Sequence, residues 1–254
     1  MRIRIDTRKS VEKNAAAYFE RAKKAKKKLE GAKKAVALAA SRIGARQEAR
    51  QEQRPQRKKE WYERFRWFLS SDGILCVAGR DAGTNEQVVK KHAQPGDLVF
   101  HTDMAGSPFV VVKGKDAPES TRNEAAQFAA SVSRAWKAGV GALEVFHVSP
   151  DQLSKTAQAG EYLGKGAFMV RGNVAYTKPQ VAFAIGTLAD GRVMGGPPSA
   201  VLHHCKEAYE ILQGNENASD VAKRLTKLLY AHVDEIVAML PPGGVKMGQR
   251  LSRR

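Results

Sequence analysis

From Val11 onward the apolar positions step by four and three residues without a break: Val11, Ala15, Tyr18, Ala22, Ala25, Leu29, Ala32, Val36, Ala39 and Ile43. That spacing lasts more than four heptads and predicts a coiled-coil helix over residues 10–43, a rod about 50 Å long. Ser10 is placed to cap its start and Gly44 to end it. Alanine dominates the seam, so each layer buries little area and the helix needs a partner to be stable. From 45 to 60 the seam vanishes and Pro55 interrupts, which predicts a second, weaker helix or a linker.

The period then changes. Within WYERFRWFLSSDGILCVAG, two short apolar runs flank Ser70-Ser71-Asp72-Gly73, and a tight turn at Asp72-Gly73 predicts a β-hairpin. Asp81 or Thr84 caps a helix through about Lys91, followed by a turn at Pro95-Gly96. Residues 97–101 and 109–113 read as strands. Pro118 opens a helix expected to run to Trp136, with Ala125, Phe128, Ala129, Val132 and Trp136 on one face. Further strands are expected at 143–148, 167–171, 181–188 and 192–195, while 200–212 suits strand and helix equally. Ser219 caps a helix over 220–231, and Pro241-Pro242-Gly243-Gly244 ends the last helix. Strands that follow strands without regular βαβ alternation predict an α+β domain, a mixed β-sheet with flanking helices, behind the helical arm or a short helical hairpin.

Charge divides the 254 residues differently from hydropathy. The chain carries 43 Lys+Arg against 26 Asp+Glu, a net of +17. Residues 1–60 hold 20 basic and 7 acidic side chains, and 241–254 hold four basic and none acidic. The 19 of each sign in 61–240 cancel. The expected organisation is a basic coiled-coil arm (1–60), a neutral domain (61–240) and a basic tail (241–254). Such segregated charge points to an acidic polymer as partner. Lys23, Lys24, Lys27, Lys28 and Lys34 flank the seam, and Glu30 is the one acid between Arg21 and Lys34. Those lysines repel one another unless a polyanion neutralises them, which favours nucleic-acid contact over a merely solvated helix face.

The remaining composition narrows the class. Hydrophobic residues make up 43% of the chain, enough for a core. No apolar run approaches the roughly 20 residues of a membrane span, and the charged N-terminus has no signal-like apolar region. Cys76 and Cys205 cannot make a disulfide framework, so a soluble, cytoplasmic protein is expected. Gly164-Lys165-Gly166 could approach a phosphate, but it lacks Walker A spacing and a plain turn is the commoner meaning. His101 with Asp103, and the adjacent His203-His204, lack metal-site spacing, and no nucleophile elbow is present. Neither catalysis, metal nor cofactor is expected. Of the aromatics after the basic RKK run, Phe65 and Trp67 are expected on one buried strand face, with Arg66 pointing outward. Cys76 reads as a small core residue.

Several short motifs occur in a familiar order. Phe65-Arg-Trp-Phe68 precedes Ser70-Ser71-Asp72-Gly73, Gly79-Arg80-Asp81 and Asn85-Glu86. Gly96-Asp97, His101 with Asp103, Gly106-Ser107 and Ser133-Arg-Ala-Trp136 follow. Gln152 with Ser154-Lys155-Thr156, Gly160-Glu161-Tyr162-Leu163, Lys165-Gly166 and Arg171-Gly172 complete the run. Together these resemble the NFACT-R domain, the RNA-binding portion of the NFACT proteins of ribosome-associated quality control. The resemblance extends into the arm at Ile3/Ile5, Ser10, Asn14-Ala15, Tyr18-Phe19 and the lysine run, and to Leu240-Pro-Pro-Gly243. It departs in a shortened hairpin. Full-length members also begin with a large N-terminal domain and a helix-hairpin-helix segment, whereas this chain starts at the coiled coil.

The resemblance implies an RNA-binding protein without chemistry of its own, engaging tRNA, large-subunit rRNA and the large ribosomal subunit at stalled ribosomes. It makes the Glu161–Gly166 loop and Arg66, Arg80, Lys155, Lys165 and Arg171 binding candidates beside the arm lysines. Three rival roles remain: one half of a split NFACT factor, joined to a separate N-terminal chain or to itself through the seam; an accessory RNA-binding subunit for tRNA modification; and a coiled-coil protein that serves interaction alone.

Overall fold

Ser10 and Asn14 start the first helix. Ser10 Oγ accepts from the Lys13 amide at 3.4 Å, and Asn14 exchanges 3.0 Å hydrogen bonds with both backbone groups of Asp6. Helix α1 (Val11–Gln51) is 41 residues long, about 60 Å at 1.5 Å per residue. Gly44 does not end it. A single interior glycine costs only about 1 kcal/mol, and the Ala, Arg, Gln and Glu residues that follow are good helix formers. Residues 45–51 therefore continue the same helix instead of forming a linker. The computed structural model describes residues 5–51, 58–156 and 163–252, with 37–51 described by backbone alone. Of the seam, Val11, Tyr18, Leu29 and Val36 are exposed. The chain divides into two units, Met1–Lys59 and Glu60–Arg254.

The second unit opens with the hairpin of β1 (Arg66–Leu69) and β2 (Leu75–Ala78), which pair Arg66 with Ala78 and Leu69 with Leu75. Gly73, at φ 78°, closes the turn that the Asp-Gly pair predicts. Asp81 caps α2 (Ala82–Gln87), accepting from the Thr84 amide at 2.8 Å, and a π turn over Val88–His92 extends it. Strands β3 (Leu98–Thr102) and β4 (Val110–Val112) follow, then α3 (Glu119–Ser131) and α4 (Arg134–Lys137). The helix expected to reach Trp136 breaks at Val132-Ser133. Ser133 Oγ donates to Ala130 O at 2.7 Å and accepts from the Ala135 amide at 3.1 Å, capping a new turn.

Next come β5 (Val145–Val148), β6 (Leu153–Ser154), β7 (Met169–Val170) and β8 (Ala175–Thr177). After β9 (Phe183–Thr187) and β10 (Val193–Gly196), the ambiguous 200–212 stretch resolves into both alternatives. It contributes α5 (Pro198–His204) and then the first half of β11 (Glu207–Glu216). Helix α6 (Ala218–Leu229) starts one residue before the predicted cap Ser219, with Asn217 in the cap position. Helix α7 (Val233–Met239) ends before the diproline.

The presumed tail is β12 (Val245–Leu251), paired antiparallel with β11 from Ala208–Leu251 to Gln213–Val245. Residues 245–251 are thus an integral strand, not a free basic extension. Their period-2 apolar set of Val245, Met247 and Leu251 turns toward the core while Lys246 and Arg250 stay outside.

The described residues form three sheets, ordered β1-β2-β4-β3-β5-β8, β10-β9-β11-β12 and β6-β7. The α+β class holds, and every pairing among the described residues is antiparallel, in place of the mixed sheet expected. The larger core joins both main sheets to α3, α5, α6 and α7 through Trp67, Phe68, Phe128, Trp136, Phe183 and Leu225. A second core covers the opposite face of the six-stranded sheet, with Phe65, Val77, Val99, Phe109, Val111 and Phe146. Phe65 and Trp67 therefore serve different cores instead of sharing one face. Phe65 precedes the strand, so the two-residue alternation does not reach it. Cys76 is buried as expected.

Candidate nucleic-acid interface

Arg66 begins β1, and its partner Ala78 is followed by Gly79-Arg80-Asp81, so the hairpin register sets two guanidinium groups side by side. Gly79 is required there, because a Cβ would stand 2.2 Å from Asn85 Oδ1. Asn85 is buried on α2. Its Nδ2 donates to Ser107 O at 3.2 Å, and its Oδ1 accepts from the Phe109 amide at 3.1 Å, tying α2 to the loop between β3 and β4. His101 stacks on Phe109 with ring centres 4.0 Å apart and lies 3.1 Å from Ser107 O. A carbonyl only accepts, so His101 Nε2 carries the proton in that bond.

These elements enclose a cleft of about 820 Å³. Arg66, Arg80, Arg134, Lys137 and Lys165 line it, with Asp81 and Asp103 as carboxylates and His101, Phe109, Phe146 and Phe168 as rings. Lys165 comes from the glycine loop. Gly166, at φ 80°, needs its missing side chain because a Cβ would sit 2.6 Å from Ala82 O. Its amide donates to Glu86 Oε2 at 3.3 Å, and Lys155 Nζ contacts the same oxygen at 3.3 Å. Glu86 also holds Lys90 at 2.6 Å. Chiefly that lysine, aided by Gly166 and Lys155, lowers its pKa to about 2. Glu86 therefore rivets the glycine loop to α2.

Burial lowers the Arg66 pKa to about 10, with Arg80 as the second cause, and burial also lowers that of Arg80. Both remain cations at neutral pH. Arg66 does not point outward into solvent as the strand alternation suggested. It faces the cleft, where its Nε donates to Leu240 O at 3.4 Å. Burial lowers the His101 pKa against the opposing pull of Ser107 and Asp103, which favours the neutral ring at pH 7.

The motif residues fall into two groups. Arg66, Arg80, Asp81, Asn85, His101, Gly106, Lys165 and Gly166 meet at the cleft. Ser71, Asp72 and Gly73 lie at the hairpin turn instead, where Asp72 accepts from Ser120 and Thr121 at 2.5 and 2.6 Å and the Ser71 amide donates to Glu124. Gln152 bonds the carbonyls of Arg171 and Asn173 and so shapes a loop, and Arg171 is exposed outside the cleft lining. Lys155 spends its charge on Glu86 and on the Phe168 ring, 4.4 Å from its centre. Gly160, Glu161 and Tyr162 lie outside the described residues. Lys23, Lys24, Lys27, Lys28 and Lys34 are exposed on α1, in the other unit. Sequence reasoning did not place Arg134 and Lys137 at the cleft: Arg134 stood within the Ser133–Trp136 motif but was not named a binding candidate, and a helix unbroken through Trp136 gave no reason to single out Lys137. The capping serine at 133 was the available signal.

Residues 64–172 match the family model described as the NFACT protein RNA binding domain. Those residues are an NFACT RNA-binding domain. It contains every cleft residue named above from Arg66 to Phe168. The chain is 38% identical over 200 residues to the archaeal Rqc2 homolog aRqcH of Methanocaldococcus jannaschii, covering 75% of this chain and 30% of that protein. It is 38% identical over 180 residues to the human ribosome quality control complex subunit NEMF, covering 65% and 16%. The Drosophila NEMF homolog is 43% identical over 119 residues, or 46% and 12%. This chain thus spans less than a third of each relative. Within the described residues, no helix is long and apolar enough to cross a membrane, and no cluster of His, Cys, Asp or Glu could hold a metal ion.

Proposed function

We propose that this chain is an RNA-binding factor of ribosome quality control that engages tRNA and the large ribosomal subunit in the cytoplasm. On this reading it acts by binding and positioning, without covalent chemistry. The observation that carries the reading is the gathering of five cationic side chains into one cleft, built from residues of the NFACT RNA-binding domain. The names of the relatives supply the ribosome quality control context. The lysines of α1 add phosphate contacts that do not depend on sequence, and the NFACT-R domain supplies recognition.

The test is titration of the full chain with tRNA and with purified large subunits over a range of salt. Engagement of six to ten phosphates gives log affinity a slope of roughly −4 to −9 against log salt. A flat slope removes the electrostatic account, and no binding to either RNA removes the function. A second reading is favoured by the exposed seam residues Val11, Leu29 and Val36. In it a separate helix, carried by an NFACT N-terminal chain or by a second copy, packs along α1. Co-purification of the untagged partner tests it.

A further inference from the structure

Arg66 and Arg80 are an unusual pair to leave half-buried at one cleft. Among the described residues, no carboxylate comes within ion-pair distance of either guanidinium. Arg80 gives its Nη2 donors to the carbonyls of Glu63 and Phe65, at 3.2 and 2.9 Å, while its buried Nε has no partner. Arg66 makes one long bond to a carbonyl. Half-buried like charges with unused donors, offset only at a distance by the Asp81 carboxylate, are stabilised when an anion joins them. Lys165, exposed on the glycine loop, adds a third cation to the same lining.

The rest of the lining says what kind of anion fits. A volume of about 820 Å³ is a cavity roughly 9 Å on a side, the size that encloses one small ligand and not an intact base-paired helix. Asp81 and Asp103 would repel a continuous row of phosphates, yet they can accept from a base amino group or a ribose hydroxyl. The half-buried Phe168 ring supplies an aromatic surface for a base. We infer that the cleft takes one unstacked nucleotide of single-stranded RNA, its phosphate held by Arg66, Arg80 and Lys165. This rests on the RNA-binding function proposed above and names the form of RNA that enters the site.

The experiment compares a fluorescein-labelled single-stranded RNA hexamer, the same sequence as a blunt duplex, and tRNA. The full chain is assayed with Lys165→Ala and Arg66→Lys variants, their folding checked by tryptophan fluorescence. Lys165→Ala removes one charged contact from an exposed residue, and Arg66→Lys keeps the charge but loses the planar fork that grips a phosphate. Each should weaken the hexamer about tenfold, as the loss of one charged hydrogen bond implies, and the duplex less than twofold. Equal weakening of hexamer and duplex, or no weakening of either, overturns the inference. So does competition by millimolar inorganic phosphate as effective as by unlabelled hexamer, which would mark a site for free anions. If tRNA binds and the hexamer does not, the cleft assignment alone fails; if no RNA binds the unaltered chain, the RNA-binding function fails with it.

Discussion

Replacing Asn85 by alanine should unfold the body more than any loss of RNA contact would suggest. Asn85 is 8% exposed and satisfies two backbone groups, Ser107 O and the Phe109 amide, that lie 22 and 24 residues away. Alanine leaves both without partners in a place water does not reach. At about 1–3 kcal/mol for each orphaned buried group, the expected loss is about 2–6 kcal/mol. Trp61, Trp67 and Trp136 all lie in the second unit, so their fluorescence during urea unfolding reports that unit without contribution from α1. With a slope near 3 kcal/mol per molar, the midpoint should fall by roughly 0.7–2 M. A loss below about 1 kcal/mol would refute the claim that these two hydrogen bonds hold the loop. Asn85→Asp sharpens the test. A carboxylate still accepts from Phe109 but opposes the Ser107 carbonyl, so the folded protein raises its pKa and the variant's deficit should shrink as the pH falls.

Asp97→Ala should cost about 3–5 kcal/mol in the same assay, because it strips Lys113 of its buried partner and the Gln94 and Gly114 amides of their acceptor. Gly166→Ala should cost about 1–3 kcal/mol from its left-handed backbone and its clash with Ala82 O, and should weaken RNA binding as the Lys165 loop shifts. Calorimetric melting and an RNA titration would check the two parts. Hydrogen bonds from Ser120 and Thr121 lower the Asp72 pKa. A carboxyl lowered on folding stabilises above its unfolded value of 3.8 and loses that contribution as pH falls through the folded value. Asp72→Asn should therefore melt below the unaltered chain at pH 7, and the gap should narrow as the pH falls below 3.8.

Local signals in the chain foretold much of this fold. The Asp-Gly turn, the Asp81 cap and the alternating apolar strands each appear where their chemistry demands. What stayed hidden depends on long-range pairing. Val245, Met247 and Leu251 alternate, but the lysine and arginine between them read as tail charge until β11 is placed beside them. Residues 200–212 balance helix and strand because α5 gives way to β11 within them. The site was legible in part. Arg66, Arg80 and Lys165 could be picked out, yet the inward turn of Arg66 follows from the cleft around a strand end, not from strand period. Arg134 and Lys137 depend on a helix break made by one serine. Asp72, Glu86 and Gln152 stand in the same motifs as the cleft residues and bond to their own neighbours, a distinction that spacing alone cannot draw.

The central claim, that the NFACT-R cleft itself grips RNA, is tested most directly by ultraviolet crosslinking of bound tRNA to the full chain, followed by mass spectrometry of the linked peptides. Crosslinks at residues 165–168 and 134–137 are predicted, in addition to any along α1. Crosslinks confined to α1, or to body surfaces outside the cleft, would contradict the account.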